Sequence, residues 1–179
     1  MPGPAIRTAT SADVPALHDL IGASVMRLQA EDYNEAQRAG ALGSIFGVDP
    51  VLIADGTYFV AEWEGRIAAC GGWSRRGTPF GSDRSPARDD RMLDPAFDAA
   101  RIRALFVHPD FARRGLGTAI LAACERAAAE AGFQCLELTA TLTGTKLFRV
   151  HGFVPAEEIG LRLGNGETLG VIRMTKTLR

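Results

Sequence analysis

The residues best suited to chemistry lie in segment 102–120, which reads IRALFVHPDFARRGLGTAI. An apolar strand pattern leads there into a turn rich in arginine and glycine, and a helix pattern follows. Gly115 and Gly117 have no Cβ atom, so the backbone can approach an anion closely. The free amides and dipole of a helix N-terminus attract negative charge, and Arg113 and Arg114 add formal positive charge. The segment predicts a phosphate cradle, although a Gly-x-Gly pattern alone also fits a plain tight turn.

This segment resembles the GNAT superfamily of N-acetyltransferases. The family signature, Q/R-x-x-G-x-G/A, follows a strand ending in V-x-P and begins the helix over the coenzyme A pyrophosphate. The hexad here is ARRGLG at 112–117, in which both glycines match and Ala112 stands in place of the usual Gln or Arg. A second match, LFRVHGF at 147–153, is similar to the family's F-Y-x-x-x-G-F segment. The resemblance covers most of the chain, from Ile6 to Leu178.

Composition fits one domain, which we place at residues 1–179. The chain is 46% hydrophobic and 23% charged, and a chain of this length can bury roughly 70% of its unfolded surface. A formal net charge of −1 provides no basic field to gather nucleic acid or an anionic membrane. Cys70, Cys124 and Cys135 lie in apolar sequence without C-x-x-C spacing, so we expect buried free thiols and no metal site.

The first four residues, MPGP, lack the charged and apolar regions of a leader. No apolar run reaches the ~20 residues that are needed to span a bilayer. We therefore expect a cytoplasmic protein with neither nucleic acid nor membrane as a partner. A homodimer is one of the assemblies that the sequence allows.

Hydrophobic periodicity predicts the elements that position the cradle. The predicted strands cover 5–8, 57–63, 66–73, a fourth strand within 102–120, 135–141, 153–163 and 168–178. The predicted helices cover 11–29 with Ser11 as N-cap, 34–45, the helix after the cradle, and 143–151. Asn165-Gly166 is a strong hairpin signal. The long polar loop at 74–98 is either a mobile surface insertion or a lid over an acceptor pocket. The order predicts an α/β (α+β) fold with a mixed, mostly antiparallel seven-stranded sheet flanked by helices.

The resemblance implies that the fourth and fifth strands run parallel and splay apart, with the pantetheine arm of acetyl-CoA in the gap. The amide near Phe106, where the family's fourth strand bulges, would then donate to the oxyanion, with Phe106 as the catalytic residue, and losing such a donor commonly costs ~3 kcal/mol. The cofactor-binding residues implied by the resemblance are Leu105, Phe106, Val107, Arg113, Arg114, Gly115, Leu116, Gly117, Thr118 and Phe148.

An acetyltransferase also needs a neutral amine and a route for the thiolate to leave. An amine with a pKa near ~10.4 requires a base or a desolvating pocket at pH 7. Glu137 alternates out of phase with Leu136 and Leu138 and is a candidate base, although a solvated strand glutamate also fits. Phe148 stands where many relatives have a tyrosine that protonates the thiolate, and phenylalanine has no acidic hydrogen. His151 fits a surface or packing role better than that of the acid.

Arg101 and Arg103 share one face of the fourth strand, where many relatives have an acidic residue. Two guanidiniums suit a carboxylate on the acceptor better than a cationic amine, unless both only pair with Asp94, Asp98 or neighbouring acids on the surface. Two function classes follow. The first is an acetyl-CoA-dependent N-acetyltransferase that acts on a small-molecule or amino-acid-like amine by direct attack in a ternary complex. The second is a non-catalytic acyl-CoA-binding sensor or interaction module. A dinucleotide-binding Rossmann domain ranks last because an N-terminal G-x-G-x-x-G is missing.

Overall fold

Seven strands form one sheet in the computed structural model, which describes residues 3–179. Met1 and Pro2 lie outside the described residues. The prediction that no leader is present depends partly on these two residues. The strands are β1 (Ala5–Thr8), β2 (Tyr58–Trp63), β3 (Arg66–Ser74), β4 (Ala100–Val107), β5 (Cys135–Thr141), β6 (Val154–Arg162) and β7 (Thr168–Thr177). Their order is β1-β2-β3-β4-β5-β7-β6. Only β4 and β5 pair in parallel, which confirms the predicted mixed, mostly antiparallel sheet.

The strand predictions agree with the structure within one residue wherever bounds were predicted. Alternating apolar residues mark the strands, and residues with positive φ mark the turns between them. Glu64 (φ 51°) and Gly65 (φ 76°) close the β2–β3 hairpin, and Gly166 (φ 86°) lies in the β6–β7 turn. Both turns adopt backbone conformations that glycine provides at low cost.

The helix predictions are less accurate. The helices are α1 (Val14–Ala23), α2 (Glu35–Ala41), α3 (Pro50–Ala54), α4 (Leu116–Glu130) and α5 (Thr145–Val150). The segment 11–29 is divided into a 3-10 turn that precedes α1 and a π-helical stretch, Ser24–Leu28, that follows it. The predicted helix 34–45 is too long because the chain leaves the helix before Gly43, which has a φ of 93°. The helix α3 was not predicted from the sequence. The Asp49 side chain caps it by accepting a hydrogen bond from the Val51 N–H at 3.0 Å.

Two hydrophobic clusters form the core. One contains Leu121 of α4 and Ala61 of β2, and the other contains Ile21 of α1 and Val60 of β2. Because neighbouring strand residues point to opposite faces, α1 and α4 cover opposite faces of the sheet. Cys70 and Cys124 are buried as predicted, but Cys135 is exposed at the start of β5, so the prediction of three buried thiols is wrong there. Among residues 3–179, no helix is long and apolar enough to cross a membrane.

The long loop 74–98 is attached to the rest of the domain at several points. Arg76 binds both carboxylate oxygens of Asp55, at 2.8 and 3.0 Å. Ser82 donates its hydroxyl to the Gly43 carbonyl, and Leu93 joins the core with 5% of its surface exposed. These contacts favour a fixed wall over a mobile surface insertion.

An ion-pair cluster joins β1 to the turn before α1. Arg7 contacts Asp13 and Glu62, each at 2.8 Å, and the Thr10 backbone N–H donates to the Asp13 carboxylate at 2.8 Å. The hydrogen bonds from Arg7 lower the pKa of Asp13 from its usual 3.8 to about 2. The carboxylate therefore stabilises the fold while it is ionised.

We expect Asp13→Asn to lower the free energy of unfolding by about 1 kcal/mol at neutral pH, a modest value because Arg7 is partly exposed. The folded-state pKa is depressed, so this contribution is complete above about pH 4 and is lost as the pH falls through about 2. Urea titrations of both proteins at pH 7 and at pH 2 measure the difference. A gap that is equally large at both pH values would contradict this assignment.

Candidate active site

A gap opens between β4 and β5. The two strands pair only at Ala100–Leu136 and at Arg101–Glu137, although β4 continues to Val107. Beyond those pairs the strands separate, and the β4 edge that faces β5 has no partner strand among residues 3–179. This confirms the splayed parallel pair.

A bulge in β4 lies at the start of this gap. Ala104 has a φ of 51°, a strained value for a residue with a Cβ atom, and the register with β3 shifts between Cys70 and Gly72. The buried Tyr58 hydroxyl donates to the Ala104 carbonyl at 3.0 Å. Burial raises the pKa of Tyr58 well above its usual value, so the hydroxyl stays protonated as a donor. A Cβ at Gly72 would come within 2.7 Å of the Tyr58 ring, so this hydrogen bond depends on glycine there.

The strand register decides which amides of β4 face the gap. His108 donates to Ala68 of the neighbouring segment at 2.8 Å. Because bonded and non-bonded pairs alternate between antiparallel strands, the Cys70–Phe106 pair is also hydrogen-bonded, and the Phe106 amide points to β3. This orientation does not fit the predicted role of Phe106 as oxyanion donor. The Ala104 carbonyl and the Leu105 N–H belong to the same peptide group, and in a trans peptide they point in opposite directions. Because the carbonyl points to Tyr58, the Leu105 N–H points away from Tyr58.

The turn that the sequence predicts to be a phosphate cradle is tight. Arg113 has a φ of 65° and Gly115 a φ of 79°, and this tight turn leads directly into α4. A Cβ at Gly117 would lie 3.1 Å from a methyl group of Leu147, so glycine allows the start of the helix to pack closely against Leu147. A cavity of about 460 Å³ lies beside this turn. The predicted cofactor-binding residues that line it are Leu105, Phe106, Val107, Arg113, Gly115, Leu116, Gly117 and Thr118.

Two predicted cofactor-binding residues lie outside this cavity. The Arg114 guanidinium is 5.8 Å from the Trp63 ring centroid and 5.6 Å from that of Phe111, so its charge stacks on aromatic rings. Phe148 packs edge-to-face against Phe153 with ring centroids 5.7 Å apart and lines a neighbouring cavity instead. His151, which was not predicted to bind the cofactor, lies 3.0 Å from the Thr118 hydroxyl at the cradle.

The neighbouring cavity, of about 110 Å³, meets the first one at the bulge. The loop 74–98 contributes Pro79, Phe80 and Gly81 to its wall. Residues common to the linings of both cavities are Gln29, Leu105, Phe106, Thr141, Gly144 and Leu147. The shared lining forms a junction between a long cavity and a smaller one, beside the Leu105 amide.

Arg103 is the cationic residue in the wall of the smaller cavity. Its guanidinium lies 3.2 Å from Asp49, which also accepts from Arg88 at 3.2 Å, and the side chains of Arg103 and Asp49 are each 2% exposed. Burial lowers the pKa of Arg103, and the charge of Asp49 opposes this effect. Arg103 Nε is buried without a partner among residues 3–179. Arg88 also pairs with Asp90 at 3.0 Å, so this cluster contains two guanidiniums and two carboxylates.

Arg101 and Glu137 lie apart from both cavities. Glu137 accepts from Arg101 at 2.9 Å and from Arg173 at 2.8 Å, so both of its oxygens are occupied by guanidiniums. This position does not suit the predicted role of Glu137 as a base and favours a structural ion pair. The alternative named Asp94, Asp98 or neighbouring acids as the partners of the two β4 arginines. Asp94 and Asp98 are not their partners, which are Glu137 and Asp49.

The buried thiols offer no reactive nucleophile. Burial raises the pKa of Cys70 to about 12 and that of Cys124 further above its usual value, so both are protonated at neutral pH. Within the described part of the chain, no group of three or more His, Cys, Asp or Glu side chains is placed to hold a metal ion.

The site combines a splayed pair of parallel strands with a glycine turn at a helix N-terminus. This combination suits an extended ligand that carries phosphate. The profile of the acetyltransferase (GNAT) family matches residues 22–153, and the chain belongs to this family. A search of curated proteins by sequence finds no match.

Solved structures share the complete fold. A GCN5-related N-acetyltransferase from Rhodopseudomonas palustris has 25% sequence identity and a TM-score of 0.74, covering 99% of this chain and 98% of its own. The PaiA N-acetyltransferase from Thermoplasma acidophilum, solved with coenzyme A, has 12% identity and a TM-score of 0.67 over 98% and 99% of the two chains. The yncA protein from Salmonella typhimurium, solved with acetyl-CoA, has 17% identity and a TM-score of 0.64 over 99% and 95%.

Proposed function

We propose that this protein is an acetyl-CoA-dependent N-acetyltransferase that acts on a small amine by direct attack in a ternary complex. The observation that carries the proposal is the junction of two cavities at the β4 bulge. One cavity leads to a phosphate cradle and the other to a cationic pocket. A donor thioester and an acceptor amine could therefore meet at the Leu105 amide.

The long cavity suits coenzyme A. The α4 N-terminal amides and Arg113 would hold the pyrophosphate, and the unpaired edge of β4 would bind the amide groups of the pantetheine arm. The glycine at position 117 fits this use, since a side chain there would crowd Leu147 in the wall of the cavity. The coenzyme A and acetyl-CoA bound to the PaiA and yncA proteins support the same choice of cosubstrate.

At the junction, the Leu105 N–H would donate to the thioester oxygen as it gains negative charge. The amine nitrogen bonds to the acetyl carbon, the carbon–sulfur bond breaks, and coenzyme A leaves as a thiolate. The proton that the nitrogen loses passes to solvent, because Glu137 lies outside the cavities. A thiol with a pKa near ~8.5 is a tolerable leaving group without a general acid.

The acceptor that fits the smaller cavity is an amine with a carboxylate. Arg103 supplies a buried guanidinium whose Nε has no partner among residues 3–179. An amine beside this guanidinium would favour its neutral, reactive form over the ammonium ion. Amino-acid-like acceptors combine both features.

A turnover assay tests the function. The protein is incubated with acetyl-CoA and a panel of amines, with and without carboxylates, and free thiol is measured. We expect transfer to carboxylate-bearing amines, with a smaller rate for polyamines. Tight acetyl-CoA binding without turnover on any amine would instead favour the acyl-CoA sensor, which the packing of Phe148 against Phe153 also fits.

The variant Phe148→Tyr separates enzyme from sensor further. The ring lines the smaller cavity, so an added hydroxyl could reach the leaving sulfur. We expect kcat to rise by less than about tenfold, because the thiolate already leaves tolerably, while the Kd for acetyl-CoA is unchanged. Steady-state kinetics and calorimetry measure the two quantities. If wild type turns over well and the tyrosine slows it, another group or a water handles the proton.

A further inference from the structure

Gln29 is a buried side chain that the fold leaves unsatisfied. Only 4% of its surface is exposed, and its Oε1 atom has no hydrogen-bond partner among residues 3–179. A buried amide oxygen without a donor is unfavourable. A hydrogen-bond donor on a bound molecule would satisfy this oxygen.

The fold holds Gln29 at the junction of the two cavities, whose linings both include it. It follows the π-helical stretch Ser24–Leu28, a wide helical turn that is frequent at functional sites. The Gln29 carbonyl accepts from the backbone of Asp32 at 3.2 Å and of Tyr33 at 3.0 Å. Tyr33 is itself fixed by bonds of its hydroxyl to Gly170 at 2.6 Å and Leu142 at 2.9 Å. The amide is therefore presented from a rigid segment.

The donor with the right chemistry at this junction is the N–H of the acceptor amine. A neutral primary amine has N–H groups to donate and one lone pair for attack, so binding one N–H turns the lone pair in a defined direction. The amide is neutral and takes no proton, which distinguishes this contact from a base. Across the junction, the Leu105 amide would bind the oxygen of the bond under attack.

We propose that Gln29 binds the attacking nitrogen of the acceptor amine through its side-chain oxygen and orients it toward the thioester. This inference rests on the proposed function and names a positioning contact for it. The competing donor is an amide of the pantetheine arm, which would make Gln29 a cosubstrate contact instead.

The test compares wild type with Gln29→Met, which keeps the length and removes the amide. Removing an unsatisfied buried oxygen leaves Tm unchanged or raised, so we expect the variant to fold. We expect the KM for the acceptor amine to rise at least about tenfold, with the Kd for acetyl-CoA within about twofold of wild type by calorimetry. Gln134→Met, at an exposed glutamine outside the linings of both cavities, serves as the matched control and should leave both values unchanged.

An unchanged acceptor KM in an active, folded Gln29→Met variant overturns the proposal. A weaker acetyl-CoA Kd with an unchanged acceptor KM assigns Gln29 to the pantetheine arm and overturns it as well. A large drop in Tm would show that Gln29 has a structural role, and Gln29→Leu would then have to reproduce the rise in KM at a temperature where it is folded. If wild type acetylates no amine in the panel, the proposed function itself falls, and this inference falls with it.

Discussion

Gly117→Glu should weaken coenzyme A binding by at least about tenfold while leaving the protein folded. The new Cβ would lie 3.1 Å from a methyl group of Leu147, which is flexible and can move by the small distance required. Its contacts with Val107 and Leu105, at 3.7 and 3.8 Å, are ordinary van der Waals contacts. The new carboxylate lies at the start of α4, where the pyrophosphate would have to bind. Calorimetric titration with coenzyme A measures the loss, and circular dichroism confirms the fold.

Gly117→Gln is the matched control for charge. It adds a side chain of the same size without the negative charge, so the difference between the two variants isolates repulsion of the phosphates. That difference should shrink as salt is added, because salt screens exposed charges. Unchanged affinity in a folded Gly117→Glu protein would remove the cradle from the site.

Arg103→Met should raise the KM for carboxylate-bearing amines by about tenfold or more, the usual effect of losing a hydrogen bond to a charged group. Amines without a carboxylate should change little. The protein should also lose stability, but by less than the roughly 3–5 kcal/mol typical of a broken buried pair. Asp49 still accepts from Arg88 and from the Val51 amide in this variant.

Arg101→Met is the control for Arg103. It removes the neighbouring arginine of β4, which pairs with Glu137 and lies outside both cavities, and Glu137 keeps its bond to Arg173. We expect acceptor KM values close to wild type. Equal KM changes in both variants, or none in either for any active acceptor, would mean that Arg103 is structural and that the acceptor needs no carboxylate.

The local features of this fold are readable from the sequence because they depend on neighbouring residues. The alternation of apolar side chains sets the strand bounds within one residue, and Asn165-Gly166 sets the last hairpin. The glycine turn before α4 is equally local, since Gly115 and Gly117 act through their own missing Cβ atoms. The ends of the helices were predicted less accurately than those of the strands. The boundary near Gly43 and the short helix α3 depend on packing as much as on propensity.

The roles of the polar residues were decided only by the tertiary structure. Arg101 and Arg103 are equivalent in the sequence pattern, yet one pairs with the neighbouring strand and the other lines a cavity beside Asp49, which is 54 residues away in the chain. Glu137 resembles a free strand carboxylate until two guanidiniums are placed against it. Such contacts join distant segments, and no periodicity carries that information.

The choice between the Phe106 and Leu105 amides has the same cause. A bulge of one residue changes which amides of β4 face the gap. It coincides with a shift in the pairing with β3 and with the hydrogen bond from the Tyr58 hydroxyl, which are contacts between distant segments. Gln29 gives no signal in the sequence beyond the end of a predicted helix. It becomes a candidate contact only when the fold buries its amide between two cavities and supplies no donor, because an unmet hydrogen bond is a property of the assembled interior.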